Sequence, residues 1–297
     1  MNIVLAHIGD ENFPLYIFDC ISQIRRFFDG NIFVLISETI KENYKEKFYE
    51  YNCSLINLEE YSGYERIRDF SQSPMWEKGF WRFTCERLFY VEAFIEDTGL
   101  SNVIHIENDI NLYENPDKLE KYLYSCYPNS IAINPVGPNH AAAAFVYIPN
   151  LHPFKEMNKK LVSHISKGDA YLKSMLNYDF VSEMVLLNYM EKQTDLIQYL
   201  PLLGNGKYSN NIKVFDSVFD CASWGQYVGG TPDGTFKPGS MFDHHWVGRE
   251  LLQNKYNLFW NKDEENRNIP FIKEQESNKI YKINNLHIHC KELKKYQ

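Results

Sequence analysis

Residues 102–113 read NVIHIENDINLY. The apolar run over 102–106 has the length of a buried strand, and it stops abruptly at Glu107-Asn108-Asp109. A strand that ends in two acidic residues one position apart delivers both carboxylates to one edge of a sheet. In an open α/β sheet with parallel strands, the carboxyl edge is where ligands bind. Two carboxylates held there can share one hard cation. Mg²⁺ or Mn²⁺ takes oxygen ligands and keeps positions open for the phosphates of a substrate. An acidic-x-acidic triplet is also a common surface turn. Its position directly after an apolar strand, with an arginine-bearing helix upstream, favours the site over the turn.

Upstream, the chain alternates. Residues 2–8 (NIVLAHI) read as a buried strand, followed by a polar turn, GDENF. Pro14 then opens an amphipathic helix that closes at Asp29-Gly30. Residues 31–37 (NIFVLIS) are a second strand, TIKENYKEKFYEY a polar helix, and residues 53–58 (CSLINL) a third strand. This β-α-β-α-β order predicts parallel strands with helices on both faces. Residues 59–78 are polar and loop-like. From Gly79 a strong helix runs to Gly99 and carries Arg87, with Phe83, Leu88, Val91, Phe94 and Ile95 near helical spacing. The following run, 102–106, is then the fourth parallel strand.

The second half changes character. SIAINPVG and AAAAFVYIPN read as strands around the turn GPNH, and Lys155–Lys167 and Phe180–Lys192 as helices. A stretch rich in Gly, Asp and aromatics covers roughly 201–250, and short strands, KIYKIN and LHIH, precede a charged tail. No internal repeat or low-complexity linker divides the chain. The expectation is one domain over 1–297, with a nucleotide-binding half at 1–115 and an acceptor-binding half at 116–297.

Composition removes several alternatives. With 44% hydrophobic and 24% charged residues, the 297-residue chain can bury a sizeable core. A net charge of −8, without a strong basic block before Lys291, Lys294 and Lys295, argues against nucleic acid as a partner. A phosphorylated ligand stays admissible if a metal ion screens the charge. The amino terminus lacks a basic region and an apolar core of signal-peptide length, and no window approaches a membrane span. The six cysteines show no CxxC pairing and read as reduced thiols. A cytoplasmic location is the resulting expectation.

The helix FWRFTCERLFYVEAF, the strand VIHI and the END triplet together resemble the nucleotide-sugar-binding half of GT-A glycosyltransferases, which carry an Asp-x-Asp motif after their fourth strand. Glu107 and Asp109 match the two acidic positions, with Asn108 between them. Glu in the first place departs from the commonest form, so Asp109 is the better metal ligand. The resemblance covers roughly residues 1–115 and two later segments. It implies an α/β, Rossmann-like mixed central sheet flanked by helices. It further implies a metal-dependent hexosyl- or pentosyltransferase that uses Mn²⁺ or Mg²⁺ and a nucleoside-diphosphate sugar as donor. The acceptor is a glycan or glycolipid, in the manner of enzymes of surface polysaccharide, lipopolysaccharide or viral glycan synthesis. Arg87 then lies on the helix that faces the donor, although pairing with Glu86 or Glu92 is the plainer reading. By the same resemblance, the loop after the first strand, at His7, holds the nucleoside.

Two later segments extend the resemblance. In NNLHIHCKEL, strand alternation puts His287 and His289 on one face, with Ile288 opposite. Imidazole is a good Mn²⁺ ligand. In the family a late His completes the metal site and a nearby Lys touches the diphosphate, which assigns those roles to His287 or His289 and to Lys291. One of the two histidines is expected to be structural. In VFDCASWGQYVGGTPDG (218–234), Asp220, Gly225, Gln226 and Gly229-Gly230 resemble the acceptor side of small bacterial and viral enzymes of this kind, where Trp224 could stack on a sugar.

Candidates for the base that deprotonates the acceptor hydroxyl are Glu183 and Asp220, with Asp179 behind them. Ser182-Glu183 at a helix entry reads equally well as a cap. Ala141–Ala144 offer small side chains either to a sugar or to tight strand packing. Asp243-His244-His245 lacks the companions of a metal hydrolase, and adjacent histidines on a strand point to opposite faces. They stay as a candidate acceptor-site pair. Two rivals remain: a non-catalytic nucleotide- or carbohydrate-binding protein on the same fold, and a sugar nucleotidyltransferase. The latter wants a Gly-rich basic loop after the first strand, which HIGDENFP does not supply. The Gly triad of a dinucleotide-binding turn is also missing.

Overall fold

The computed structural model describes residues 1–9, 13–61, 80–179, 181–205 and 208–297. Most of the turn expected over 9–13, most of the loop expected over 59–78, and Phe180 lie outside the described residues.

A seven-stranded sheet forms the centre. Its strands are β1 (Asn2–Ala6), β2 (Asn31–Ile36), β3 (Ser54–Asn57), β4 (Val103–Ile106), β6 (Ile131–Gly137), β7 (His140–Ile148) and β8 (Ile197–Tyr199), in the order β3-β2-β1-β4-β7-β6-β8. β1 pairs in parallel with β2 and with β4, and β2 with β3. β4 and β1 are buried along almost their whole length, as uninterrupted apolar runs in parallel strands require. β7 runs antiparallel to both β4 and β6, so the sheet is mixed. The cause is local. Only Pro138 and Asn139 separate β6 from β7, and so short a link can only reverse the chain.

The helices follow their sequence signals. Ile17–Arg25 buries Ile17, Phe18, Cys20, Ile21 and Ile24 on its apolar face. It begins later than expected, because Pro14 and Leu15 form a turn whose carbonyls accept from Ile17 and Phe18. Ser37 caps Glu38–Glu50 by accepting from the Ile40 N–H, and Asn115 caps Pro116–Cys126 with Pro116 at the first helical position. Phe80–Thr98 and Leu151–Ile165 pack against the sheet. Glu183–Glu191 starts after Ser182, whose hydroxyl accepts from the Val185 N–H.

Several features of the second half were not anticipated, the helices Pro116–Cys126 and Trp246–Leu252 among them. A helix spans Asp169–Leu176. A smaller sheet forms from β9 (Ser217–Val218), β10 (Tyr256–Lys262), β11 (Asn268–Glu274) and β12 (Ile280–Ile283), in the order β10-β11-β12-β9. The last strand, β13 (Asn285–His287), joins neither sheet but pairs antiparallel with β5 (Ile110–Leu112). A single cluster of buried apolar residues extends from Ile3 to Tyr296, so the end of the chain is built into the core of its beginning. Among the described residues no helix is long and apolar enough to cross a membrane.

Candidate functional site

The β5–β13 ladder positions the chemistry. Ile110 lies opposite His287, Asn111 opposite Leu286 and Leu112 opposite Asn285. The Asp109 carbonyl accepts from the Ile288 N–H at 2.9 Å, which extends the pairing by one bond. The residue just before β5 therefore meets the imidazole at the end of β13. His287 Nε2 lies 3.0 Å from Asp109 Oδ2 and 3.3 Å from Glu107 Oε2. One ligand atom from each of Glu107, Asp109 and His287 falls within 4.8 Å of the others. This is the set that the strand-end triplet and the late histidines suggested, and its two carboxylates and one imidazole suit Mn²⁺ or Mg²⁺.

Positive charge surrounds the two carboxylates. Arg87 binds Glu107, and Lys291 binds Asp109. Arg87 also reaches the Ala143 carbonyl at 3.2 Å and Glu183 at 3.5 Å, rather than pairing with Glu86 or Glu92. Burial opposes ionisation of Glu107, but Arg87 and then His287 outweigh it and hold the carboxyl below its ordinary range. Asp109 is also desolvated, yet His287 and Lys291 hold it well below the usual carboxylate range. For His287, burial disfavours the cation, while Asp109 and its hydrogen bond raise the pKa to a net increase. The centre is thus a compact, internally neutralised cluster, in which each buried charge has a partner.

A pocket of about 330 Å³ opens over this cluster, lined by His7, Tyr16, Arg87, Asn108, His289 and Lys291 together with the three donors. Asn108 Nδ2 stands 3.5 Å from His7 Nδ1, and Asn108 Oδ1 is buried without a hydrogen-bond partner among the described residues. His289 packs its ring 4.3 Å from that of His287. Burial, and then His287, push its pKa well down, so it is neutral, and it is not one of the three clustered donors. Tyr16 escaped the sequence reading. The Lys291 ammonium lies 5.6 Å from its ring centroid, and its place just after the first strand's loop was the available signal. A larger open depression of about 940 Å³, lined by Glu114, Lys118, Tyr122, Phe215, Lys282 and Asn284 among others, brings together no such donor set among the described residues.

Several expected residues lie elsewhere. Asp220 is fully buried, and its carboxylate accepts from the N–H groups of Trp224 at 2.6 Å, Gly225 at 2.8 Å and His287 at 3.0 Å. It supports the His287 main chain and is absent from the pocket wall. Glu183 is also buried, behind Arg87, and likewise does not line the pocket. Burial raises its pKa to about 7 despite Arg87. Trp224 is fully buried and offers no face to a sugar. Ala141–Ala144 are buried inside β7, where Ala143 and Ala144 contribute carbonyls to Arg87 and to the Glu107 N–H. Asp179 is exposed and outside the pocket. His244 and His245 are not on a strand. His245 precedes the helix Trp246–Leu252, and their rings lie 4.7 Å apart, at an angle of 85°.

No protein-family profile matches this chain, and no curated protein matches its sequence. Solved structures resemble it in the course of the chain. Mouse xyloside xylosyltransferase 1, in its apo form, aligns with a TM-score of 0.49 and 12% identity, over 71% of this chain and 92% of that one. The glycosyltransferase GlyE of Streptococcus pneumoniae aligns with a TM-score of 0.45 and 17% identity, over 72% of this chain and 49% of GlyE. The galactosyltransferase LgtC, solved with donor and acceptor sugar analogs, aligns with a TM-score of 0.44 and 15% identity, over 68% of this chain and 73% of LgtC.

Proposed function

We propose that this chain is a metal-dependent glycosyltransferase of the GT-A type. It moves a sugar from a nucleoside-diphosphate sugar to a hydroxyl of a glycan or glycolipid acceptor. One observation carries the reading: Glu107, Asp109 and His287 bring their ligand atoms within 4.8 Å of one another at the carboxyl end of β4. The donor set fits a hard to borderline divalent ion. When bound, Mn²⁺ or Mg²⁺ would neutralise charge on a departing diphosphate.

The chain's own groups supply the rest. Lys291 and Arg87 line the same pocket as fixed positive charges suited to phosphate or sugar oxygens. Asn108 and His7 form the wall on the β1 side and suit the nucleoside. Asp220 holds the His287 main chain through one of its three amide bonds, so we assign it to positioning. Glu183 is assigned to holding Arg87, since both are buried and 3.5 Å apart. All six cysteines are free, in keeping with work in a reducing cytoplasm.

Thermal shift tests this reading. The full chain is melted with UDP, GDP or CDP, each with and without Mn²⁺. A ligand that binds only the native state must raise the melting temperature. A rise that needs both nucleotide and metal is expected. No shift with any of the three would overturn the proposal. Mn²⁺-dependent hydrolysis of the matching nucleotide sugar separates an enzyme from a binding protein.

A further inference from the structure

The edge strands of the two larger sheets are unequal. β3 is four residues long, β8 three and β9 two. The remaining edge, β10, runs for seven residues, with β11 on one side and, among the described residues, no strand on the other. Its register with β11 is unbroken along its whole length, and it contains no proline. A long, regular, open edge templates pairing with another chain, and short strands, prolines, bulges or central charges are the usual safeguards. β10 has none of these. Its middle is Leu258-Phe259-Trp260, half-buried throughout, and charge is confined to its two ends, at Lys255 and at Lys262-Asp263.

Bonds at the two ends of the hairpin fix which groups point outward. Gln275 N–H donates to the Lys255 carbonyl at 2.8 Å, and Asp263 N–H to the Arg267 carbonyl at 3.1 Å. Bonded positions alternate in an antiparallel pair, so the odd-numbered residues between these ends bond β11. The N–H and C=O groups of Leu258 and Trp260 therefore point to the open edge, where among the described residues no hydrogen bond reaches them. This sheet leads to the candidate site, since only Asn284 separates β12 from β13, the strand of His287.

We infer that β10 is a self-association edge, on which two copies of this chain pair antiparallel about a two-fold axis at Phe259. In that register Leu258 of one copy faces Trp260 of the other and exchanges both main-chain bonds with it. Phe259 meets its own counterpart across the axis. The same register sets Lys255 of each copy opposite Asp263 of the other, so both ends attract while the apolar middle is covered. Within each copy Lys255 also bonds Glu250, and Asp263 bonds Arg267, yet both keep exposed surface. Moving the axis to Leu258 would set Lys255 against Asn261 and lose both charge pairs. This match of the strand to its own reverse selects a second copy over an unrelated strand. The inference concerns assembly and does not depend on the transferase reading.

The experiment is size exclusion with light scattering on the full chain in reducing buffer. A mass of two 35.1 kDa chains is expected, falling towards one on dilution. Leu258→Pro removes an outward N–H and leaves the bonds to β11 in place. It should raise the dissociation constant at least about tenfold, with an unchanged far-UV spectrum. The register is read separately. Facing Cα atoms in a non-bonded antiparallel pair stand about 4.5 Å apart, within reach of a disulfide. Phe259→Cys oxidised with diamide should therefore cross-link into a dimer well beyond the wild-type baseline on non-reducing gels. Asn257→Cys, which faces Asn261 of the other copy, should stay at that baseline. A wild type that is monomeric at every concentration overturns the inference. So does a dimer indifferent to Leu258→Pro, or one that Phe259→Cys cross-links no better than Asn257→Cys does. Should Leu258→Pro lose its fold, the two cysteine variants decide alone.

Discussion

Gly225 lies directly against the main chain of His287. A Cβ built on Gly225 would stand 2.0 Å from the His287 carbonyl oxygen and 2.5 Å from its carbonyl carbon. Both atoms belong to backbone, which cannot swing aside as a side chain can. The Gly225 N–H and the His287 N–H also share Asp220 Oδ2 as their acceptor. A missing side chain on one segment thus fixes the height of an imidazole on another.

Gly225→Ala is therefore expected to push β13 away from the helix that starts at Trp224 and to misplace His287 against Asp109. Overpacking of this kind costs about 1–3 kcal/mol of stability. Disturbing the support of a metal ligand lowers affinity by about 10–100-fold. Urea unfolding reads the first effect and Mn²⁺ titration by calorimetry the second. Native Mn²⁺ affinity in a folded Gly225→Ala protein would refute the link.

Asp109→Asn tests the centre itself. The change keeps the shape but removes the charge that His287 and Lys291 face. Loss of the metal-dependent melting shift with nucleoside diphosphate is expected, together with a fall of at least about 100-fold in donor hydrolysis. Retention of both would show that the ion, if bound, sits elsewhere.

Arg87→Ala leaves Glu107 and Glu183 without their shared guanidinium. Removing one partner of a buried ionic group costs about 3–5 kcal/mol. Measured at pH 8, above the raised pKa of Glu183, the double variant Arg87→Ala/Glu183→Gln should recover part of that loss, because one of the two stranded acids is gone. A coupling energy of at least about 1 kcal/mol from denaturant melts is expected, and strict additivity would mean that the two groups do not interact.

Glu183 gives a pH dependence of definite sign. Burial raises its pKa from 4.5 to about 7, so the native state keeps a proton that the unfolded chain has already released. Between these values unfolding releases a proton, and stability falls as pH rises. The contribution is complete below about pH 4.5 and gone above about pH 7. Asp220, raised by burial to about 6, acts in the same direction. In Glu183→Gln the decline should be shallower, the difference from wild type between pH 5 and 8 reaching at most about 3 kcal/mol. Parallel stability curves for the two proteins would contradict this assignment.

The amino-terminal half was legible because its signals are local. The uninterrupted apolar runs of β1, β2 and β4 specify strands buried on both faces. Ser37 ends the second strand and caps the next helix by a hydrogen bond within three residues. The β10–β11 hairpin gave no such notice. Its link, Asp263–Arg267, turns through Asn266 at a φ of +60°, where a glycine would have been a plainer sign. The helix Asp169–Leu176 was also missed, since it is short and mostly exposed on its outer face.

The sequence by itself determined the kinds of group available to the site: a pair of carboxylates at the end of an apolar strand, two late imidazoles, and a lysine just beyond; the expected strand through both histidines ends at His287, and His289 lies in the turn after it. It could not determine which of its acids would be free to act. Asp220 and Asp109 are chemically alike, yet one is consumed by three backbone amides and the other faces a pocket. Nor could it determine that β13 would pair with β5 in the register that sets His287 against Asp109. The physical reason lies in range. Helix caps and strand periodicity are decided among near neighbours in the chain. Charge pairing, burial and steric contact depend on distances through space, and those exist only once the last strand has docked on the fifth.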